Sequence, residues 1–379
     1  MKNLYLFLAL LGSLPAFSQK TTDTIHSQKL NEDRVISISL PSSYYSNKDK
    51  NYPLLVLLDG DYLFEPFTGA LAYGNYWDDL PEVIVVGIHQ KNDQRDSDTE
   101  VEVESGIPFE KGAKFFDFIT TELLPAFEKE YRIAPFKIIA GHDVTAGYLN
   151  LFLYKDNPIF NAYVSLSPEL GVDMEERVST RLSLSKKPVF YYQSIADGDL
   201  KKMRERANAL DAIIKKLTNP NLYYKSDDFQ NASHYSLVLH SIPSALYHLF
   251  GAYQPISTTE FQQKIVTLPG NYVEYLTKKY DIIEKSYGIK MPVRVNDFKA
   301  IEAAILKNNA FAEFEKLAAI SKKSYPKAMI SQYHMGMYYE KTGDTKKAAK
   351  AYMSGYNMDE IGTLTKDFML EKADQMKGL

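Results

Sequence analysis

The chain has no cysteine among its 379 residues, so neither a disulfide nor a cysteine-ligated zinc site can form. A net charge of only −4 leaves no basic field of the kind that attracts nucleic acid. Glycine-rich phosphate loops, dinucleotide fingerprints and His-x-x-x-His pairs are absent as well. We therefore predict no cofactor, no metal and no nucleic-acid partner.

By contrast, apolar residues are plentiful, and together with the length they indicate a core and the number of domains. Hydrophobic residues make up 45% of the chain and charged residues 24%, which is typical of a globular protein with a substantial core. The length predicts one large domain and a smaller one. The 28 tyrosines suit grooves and carbohydrate interfaces, and equally suit half-buried packing positions.

The first 18 residues have the pattern of a secretory signal peptide. A charged start at Met1–Lys2–Asn3 precedes the apolar run Leu4–Leu11, and small residues follow at Ala16 and Ser18. This run is too short to span a bilayer. We expect the mature protein to begin near Gln19 and to be exported to the periplasm or the extracellular space, without a membrane-spanning segment.

Residues 19–255 alternate strand-like and helix-like segments. Continuous apolar runs such as Pro53–Leu58 and Glu82–Ile88 are typical of strands buried on both faces, and Gly112–Tyr131 shows helical periodicity with Pro125 inside it. This alternation predicts an α/β fold with a mostly parallel sheet covered by helices. The carboxyl ends of parallel strands, where sites lie, carry Asp59–Gly60, His142–Asp143 and Ala196–Asp197.

The segment Ile138–Gly147 has the form of a nucleophile elbow, in which a strand ends, one residue sits on a sharp turn, and a helix begins. The reactive residue of such a motif is the third one. In Gly141–His142–Asp143 that residue is an aspartate, where a hydrolase would carry serine. Ser165 and Ser167 are alternative serines, but they lie within and at the end of a predicted strand.

Residues 256–379 show almost only helical periodicity. Small and aromatic residues from Met335 to Gly355 follow the spacing of a tetratricopeptide helix pair, with a degenerate earlier unit at Asn308–Ser324. Because repeat arrays usually need about three units to be stable alone, we expect this region to pack on the large domain or on a partner.

Several segments together resemble the Putative esterase family of α/β-hydrolases, which includes esterase D and the enterochelin esterases. These segments span about Leu30 to Ala252 and comprise Arg34–Pro41, Tyr52–Gly60, Val86–Ile88, Arg95–Asp96, Gly141–His142, Ser165–Pro168 and Ser233–Ser236. The resemblance implies the α/β-hydrolase fold and ancestral carboxylic-ester hydrolysis. It also implies a histidine at His234, an acid at Asp197 with Asp199 as the alternative, and oxyanion N–H donors at Val144 and Asp61.

Asp143 leaves two functional hypotheses open. A carboxylate has no proton for a histidine to remove, which favours a protein without serine-esterase activity that acts in binding or assembly. Alternatively Asp143, His234 and Asp197 form an active hydrolase, since haloalkane dehalogenases and epoxide hydrolases attack carbon with an elbow aspartate; Val144 stands where those enzymes usually carry tryptophan. The ligands considered are a small ester or glycoconjugate, and a protein partner at the C-terminal helices.

Overall fold

The computed structural model describes residues 19–378, and its centre is an eight-stranded sheet. The predicted signal peptide lies outside the described residues. The strands are β1 (Gln19–Ser27), β2 (Glu32–Leu40), β3 (Tyr52–Leu57), β4 (Ile84–Ile88), β5 (Ile133–His142), β6 (Ala162–Leu166), β7 (Val189–Gly198) and β8 (Leu222–Ser233). Their spatial order is β1-β2-β4-β3-β5-β6-β7-β8, with β1 and β2 antiparallel to their neighbours and all other pairs parallel. The predicted mostly parallel sheet of an α/β-hydrolase is confirmed.

Helices cover both faces of the sheet and form the whole C-terminal region. They are α1 (Gly60–Tyr76), α2 (Asn92–Asp98), α3 (Glu110–Asp117), α4 (Leu124–Glu130), α5 (Val144–Tyr148), α6 (Met174–Leu184), α7 (Lys201–Ile214), α8 (Leu237–Leu249), α9 (Thr258–Glu260), α10 (Tyr272–Tyr287), α11 (Val295–Lys307), α12 (Glu313–Ser324), α13 (Ile330–Thr342), α14 (Thr345–Tyr356) and α15 (Lys366–Lys377). Short π-helical turns occupy Phe118–Leu123 and Phe261–Ile265, and a 3₁₀ helix occupies Leu149–Tyr154. None of the described helices is both long and apolar enough to cross a membrane.

Strand β3 explains how the sheet builds a core on each of its faces. All six of its residues are buried. Leu54 and Val56 join the apolar cluster on one face, whereas Leu55 and Leu57 join the cluster on the other. A continuous apolar sequence is therefore needed, because successive side chains of a strand point to opposite faces.

Pro125 lies in a long helical segment whose backbone stays helical from α3 into α4, while its hydrogen-bond pattern changes. The π-helical turn Phe118–Leu123 separates α3 from α4, and Pro125 occupies the second position of α4. Proline has no N–H to donate, so the first turn of a helix is where it costs least.

The C-terminal helices form a third apolar core and pack against the sheet domain. Within the predicted repeat unit, Gly336 of α13 lies against the ring of Tyr352 of α14, and Gly343 ends α13 at φ 90°. Tyr287 at the end of α10 joins the core of the sheet domain, where its hydroxyl donates to the Leu249 carbonyl at 2.9 Å. The helical region therefore packs on the large domain, as expected.

Candidate active site

Asp143 lies on the sharp turn between β5 and α5. Its backbone adopts φ 62° and ψ −121°, a region that non-glycine residues rarely occupy. Three hydrogen bonds hold this strained backbone: its N–H donates to Leu166 O at 3.0 Å, and its carbonyl accepts from Gly147 N–H at 3.1 Å and Glu169 N–H at 3.0 Å. A strained residue that its surroundings fix this firmly, between a strand and a helix, has the geometry of a nucleophile elbow.

Close backbone approaches on both sides of Asp143 explain the small residues of the motif. A Cβ atom at Gly147 would lie 1.8 Å from the Glu169 carbonyl oxygen. Thr145 fits this crowded turn because its hydroxyl donates to Asp59 and accepts the His142 N–H at 2.9 Å. The turn therefore tolerates Thr145 because Asp59 provides a buried acceptor.

Replacing Gly147 by alanine is expected to destabilise the protein severely. The added methyl group overlaps a carbonyl in backbone that cannot retreat, so we expect a loss of about 3 kcal/mol or more and a lower unfolding midpoint. Gly69→Ala in α1 is the matched control, since a Cβ atom at that position would have nothing within 4 Å. That variant should gain roughly 0.5–1 kcal/mol by thermal or urea unfolding. Equal midpoints for the two variants would contradict the close approach at Gly147.

Arg95 of α2 pairs with two carboxylates at the edge of the site. Its Nη1 donates to Asp143 Oδ2 at 3.1 Å, its Nε donates to Asp59 Oδ1 at 2.7 Å, and its Nη2 donates to the His142 carbonyl at 2.7 Å. The Asp59 side chain is 1% exposed and that of Asp143 is 25% exposed. Burial disfavours the charged guanidinium, but the hydrogen bonds that Arg95 donates to Asp59 outweigh this effect and raise the pKa of Arg95.

His234 follows β8 and lies between two carboxylates. Its Nδ1 is 2.9 Å from Asp199 Oδ1, and its Nε2 is 3.8 Å from Asp143 Oδ1. An ionised carboxylate only accepts, so Nδ1 carries the proton and the Nε2 of a neutral imidazole is an acceptor. The 3.8 Å between Nε2 and Asp143 Oδ1 is too long for a hydrogen bond and within the range of an ion pair.

Asp199, the alternative acid, contacts His234, whereas Asp197 does not. Asp197 lies at the end of β7 and accepts the backbone N–H groups of Asn231 at 2.8 Å and Ala232 at 3.1 Å. The pairing of β7 with β8 shifts register between Ala196 and Gly198, so strand alternation does not place these acids. Burial tends to raise the pKa of Asp199, but the hydrogen bonds from His234 and Ser167 lower it overall.

Ser165 and Ser167, the alternative serines, are not placed to attack a substrate from the turn at Asp143. Ser167 donates its hydroxyl to Asp199 and lies 3.1 Å from Nδ1 of His234, the ring nitrogen that faces the acid. Ser165 donates to the Ala146 carbonyl at 2.9 Å and is fully buried. Both hydroxyls therefore support the site's framework.

His142 stabilises the turn through hydrogen bonds at both of its ring nitrogens. Its Nε2 donates to the His234 carbonyl at 3.0 Å, so its Nδ1 accepts from the Tyr62 hydroxyl at 3.0 Å. Burial, assisted by the neighbouring His234, lowers the pKa of His142 to about 4. The ring is therefore neutral in the folded protein near pH 7.

This shift predicts that stability falls as the pH falls from about 6.5 towards 4. In that window the unfolded chain binds a proton at His142 and the folded chain does not, so acid favours unfolding. One pKa unit corresponds to about 1.4 kcal/mol, which makes the full effect about 3 kcal/mol. Unfolding midpoints measured from pH 7 to pH 4 should decline less steeply in His142→Gln than in the wild type. Parallel declines would show that other groups govern the acid response.

The predicted oxyanion donors lie at the two helix starts beside Asp143. Within residues 19–378, the N–H groups of Val144 and Asp61 donate to no protein acceptor. The Asp61 carboxylate points elsewhere, accepting from Gln90 N–H at 2.7 Å and contacting His89 Nδ1 at 2.8 Å. These N–H groups are thus available to a ligand.

No described group of three or more histidine, aspartate or glutamate side chains is arranged to hold a metal ion.

A surface cavity of about 550 Å³ lies near Lys155–Val189, and a smaller one lies beside Arg177; neither is lined by a candidate site residue.

Comparisons with known proteins agree with this geometry. Residues 27–208 match the family described as Putative esterase. An uncharacterised protein from Capnocytophaga ochracea DSM 7271 is 30% identical, with a TM-score of 0.86 over 95% of this chain and 100% of that one. An IroE-like serine hydrolase from Shewanella oneidensis is 20% identical, with a TM-score of 0.60 over 80% of this chain and 99% of that one. The BES protein from Bacillus cereus is 21% identical, with a TM-score of 0.54 over 61% of this chain and 95% of that one. Both therefore share the fold. No match was found among curated protein sequences. By its sequence match, residues 27–208 are a Putative esterase region, and the sheet order and the strand-to-helix turn give it the α/β-hydrolase fold.

Proposed function

We propose that Asp143 stands in place of the family's nucleophilic serine, and that the protein binds a ligand at this site without ordinary serine-esterase activity. The observation that carries the proposal is the ion pair between Asp143 Oδ2 and Arg95 Nη1 at 3.1 Å. Arg95 fixes the carboxylate at the point from which an attacking hydroxyl would act.

The chemistry of the two groups supports this proposal. Serine attacks an ester because histidine removes its hydroxyl proton, and ionised Asp143 has no such proton. Asp143 also directly precedes Val144, whose N–H is a predicted oxyanion donor, so its carboxylate brings a negative charge to the region in which an oxyanion would have to form. Two like charges at one place raise the energy of the transition state that the N–H groups would otherwise stabilise.

A ligand for this site should combine hydrogen-bonding groups with a flat or apolar surface. Tyr235 is 78% exposed and its ring centre is 5.1 Å from that of His234. Tyr62 is 44% exposed and its ring centre is 5.9 Å from that of His142. Tyrosine rings stack on sugar and acyl surfaces while their hydroxyls donate hydrogen bonds. We therefore propose a small ester or glycoconjugate as the ligand, met after export to the periplasm or beyond, with the C-terminal helices available to a protein partner.

The second candidate function is hydrolysis through Asp143 as the nucleophile. The intact pair of His234 and Asp199 favours it, because His234 Nε2 is free to activate water against an aspartyl ester. The bond from Arg95 opposes it, since a guanidinium withdraws charge from the oxygen pair that would attack.

A panel of p-nitrophenyl esters from acetate to octanoate tests the proposal. We expect the wild type and His234→Ala to give the same rate after subtraction of spontaneous hydrolysis. His234→Ala keeps the fold's core intact, which its unfolding midpoint checks. A wild-type rate more than about tenfold above that of His234→Ala would overturn the proposal, because general-base catalysis contributes roughly 10²–10⁴-fold.

A further inference from the structure

A second hydrogen-bonded chain of serine, histidine and aspartate lies beside the first turn of α1. Ser37 Oγ on β2 is 2.8 Å from His89 Nε2, and His89 Nδ1 is 2.8 Å from Asp61 Oδ1. Within the described part of the chain, none of these three side chains hydrogen bonds to Asp143, His234 or Asp199. The cluster shares only Asp61 with the site at the elbow, through the backbone N–H of that residue, and its side chains form a hydrogen-bonded set of their own.

The proton positions in this cluster follow from its acceptor. Asp61 Oδ2 accepts the Gln90 N–H at 2.7 Å, which fixes the carboxylate and leaves Oδ1 to His89. Since an ionised carboxylate only accepts, His89 Nδ1 donates to it, and Nε2 of the neutral ring accepts the Ser37 hydroxyl. A serine whose hydroxyl donates to an acid-oriented imidazole is the arrangement that activates nucleophilic serines.

Solvent reaches the cluster. The side chains of His89 and Asp61 are 26% and 40% exposed, and Ser37 is 9% exposed. Ile36 and Ile38 on either side of Ser37 point into the core on one face of the sheet, so Ser37 points to the other face, where α1 packs. The imidazole and the carboxylate are therefore open to solvent, and Ser37 keeps a small exposed fraction at which a small electrophile would react.

We propose that Ser37 is a second nucleophile, which accepts acyl or phosphonyl groups from activated esters. In acyl transfer, Ser37 Oγ forms a bond to the carbonyl carbon while its proton passes to His89 Nε2. The bond to the leaving alkoxide or phenolate then breaks, and the leaving group takes the proton from His89. With a fluorophosphonate, the Oγ–P bond forms, the P–F bond breaks, and the proton and fluoride leave.

The backbone around Ser37 determines the expected rate of its covalent modification. Ser37 lies inside a strand that pairs with β1 and β4, so its own N–H is not aimed at an oxyanion as it would be at a strand-to-helix turn. Loss of one oxyanion donor costs roughly 10²–10³-fold in rate. We expect one slow covalent modification, readily detected as an adduct, which is a different outcome from rapid turnover at the elbow.

Fluorophosphonate labelling of the whole protein, followed by peptide mass spectrometry, tests this proposal. We expect an adduct on Ser37 in the wild type, at a rate that falls about 100-fold in His89→Gln, a variant that keeps a side chain able to hydrogen bond but lacks the base. Ser39→Ala is the matched control, because Ser39 lies two residues along the same strand and is 5% exposed. It should label as the wild type does, and unfolding midpoints confirm that each variant is folded.

Two results would overturn the proposal: the absence of an adduct on Ser37 in the wild type, or an adduct that forms at the same rate in His89→Gln. His234→Ala separates this outcome from the proposed function. It should leave labelling of Ser37 unchanged, whereas activity at the elbow would require His234.

Discussion

Asp143→Ser is expected to create an ester hydrolase. Serine supplies the missing proton, its hydroxyl faces the acceptor Nε2 of His234, and Asp199 already orients that ring. The N–H of Val144 then meets an oxyanion with no competing carboxylate. We expect kcat/KM on p-nitrophenyl acetate to rise about 100-fold or more over the wild type, which corresponds to about 2.7 kcal/mol of transition-state stabilisation.

Two further variants show whether this gain has the stated cause. Asp143→Ser with His234→Ala should lose the gain, because the base is absent. Asp143→Asn removes the charge without adding a nucleophile, so it should remain as inactive as the wild type. Activity in Asp143→Asn, or a gain that survives His234→Ala, would contradict the assignment of the turn.

Arg95→Met is expected to destabilise the protein by about 3–5 kcal/mol, the usual cost of leaving a buried charge without its partner. The charge at issue is chiefly Asp59, whose side chain is 1% exposed and receives two bonds from Arg95. The unfolding midpoint should fall by roughly 4–6 °C, since an unfolding entropy of about 2.1 cal/mol/K per residue makes 1 kcal/mol worth about 1.3 °C in a chain of 379 residues. Thermal unfolding measures the effect.

Arg181→Met is the matched control for this charge removal. Arg181 pairs with Asp156 at 3.0 Å, but the two side chains are 36% and 93% exposed. Exposed pairs contribute about 0–1 kcal/mol, so the midpoint should hardly change. Combining Arg95→Met with Asp59→Asn should recover part of the loss, because the amide has no charge to compensate. Equal losses in Arg95→Met and Arg181→Met would show that Asp59 does not depend on Arg95.

Features that depend on local sequence were predictable. The apolar run Pro53–Leu58 predicts a strand buried on both faces, and β3 occupies Tyr52–Leu57. The elbow could be located because backbone crowding at Gly147 leaves a recognisable pattern of small residues. His234 is predictable from its loop position and its family motif, and it lies within 3.8 Å of Asp143.

Features that depend on contacts between distant segments were not predictable. Asp197 and Asp199 are indistinguishable by local pattern, and only the register shift between β7 and β8 separates their partners. The role of Arg95 could not be predicted from the sequence either, since an arginine in a charged loop has the same local pattern as an arginine exposed to solvent. Its function arises because Asp59 and Asp143, 36 and 48 residues away, converge on its guanidinium. Ser37 and His89 are not predictable for the same reason.

Isotope labelling of Asp143 tests the central claim most directly. An aspartate that attacks an alkyl carbon forms an ester, and one that attacks an acyl carbon forms an anhydride; when water then attacks the aspartyl carbonyl, one solvent oxygen enters the carboxylate. The wild type is incubated in H₂¹⁸O with ester, epoxide and haloalkane substrates, and the mass of the peptide containing Asp143 is compared with those of other peptides from the same digest. We predict no ¹⁸O in Asp143; incorporation there, absent in His234→Ala, would contradict a site without a nucleophile.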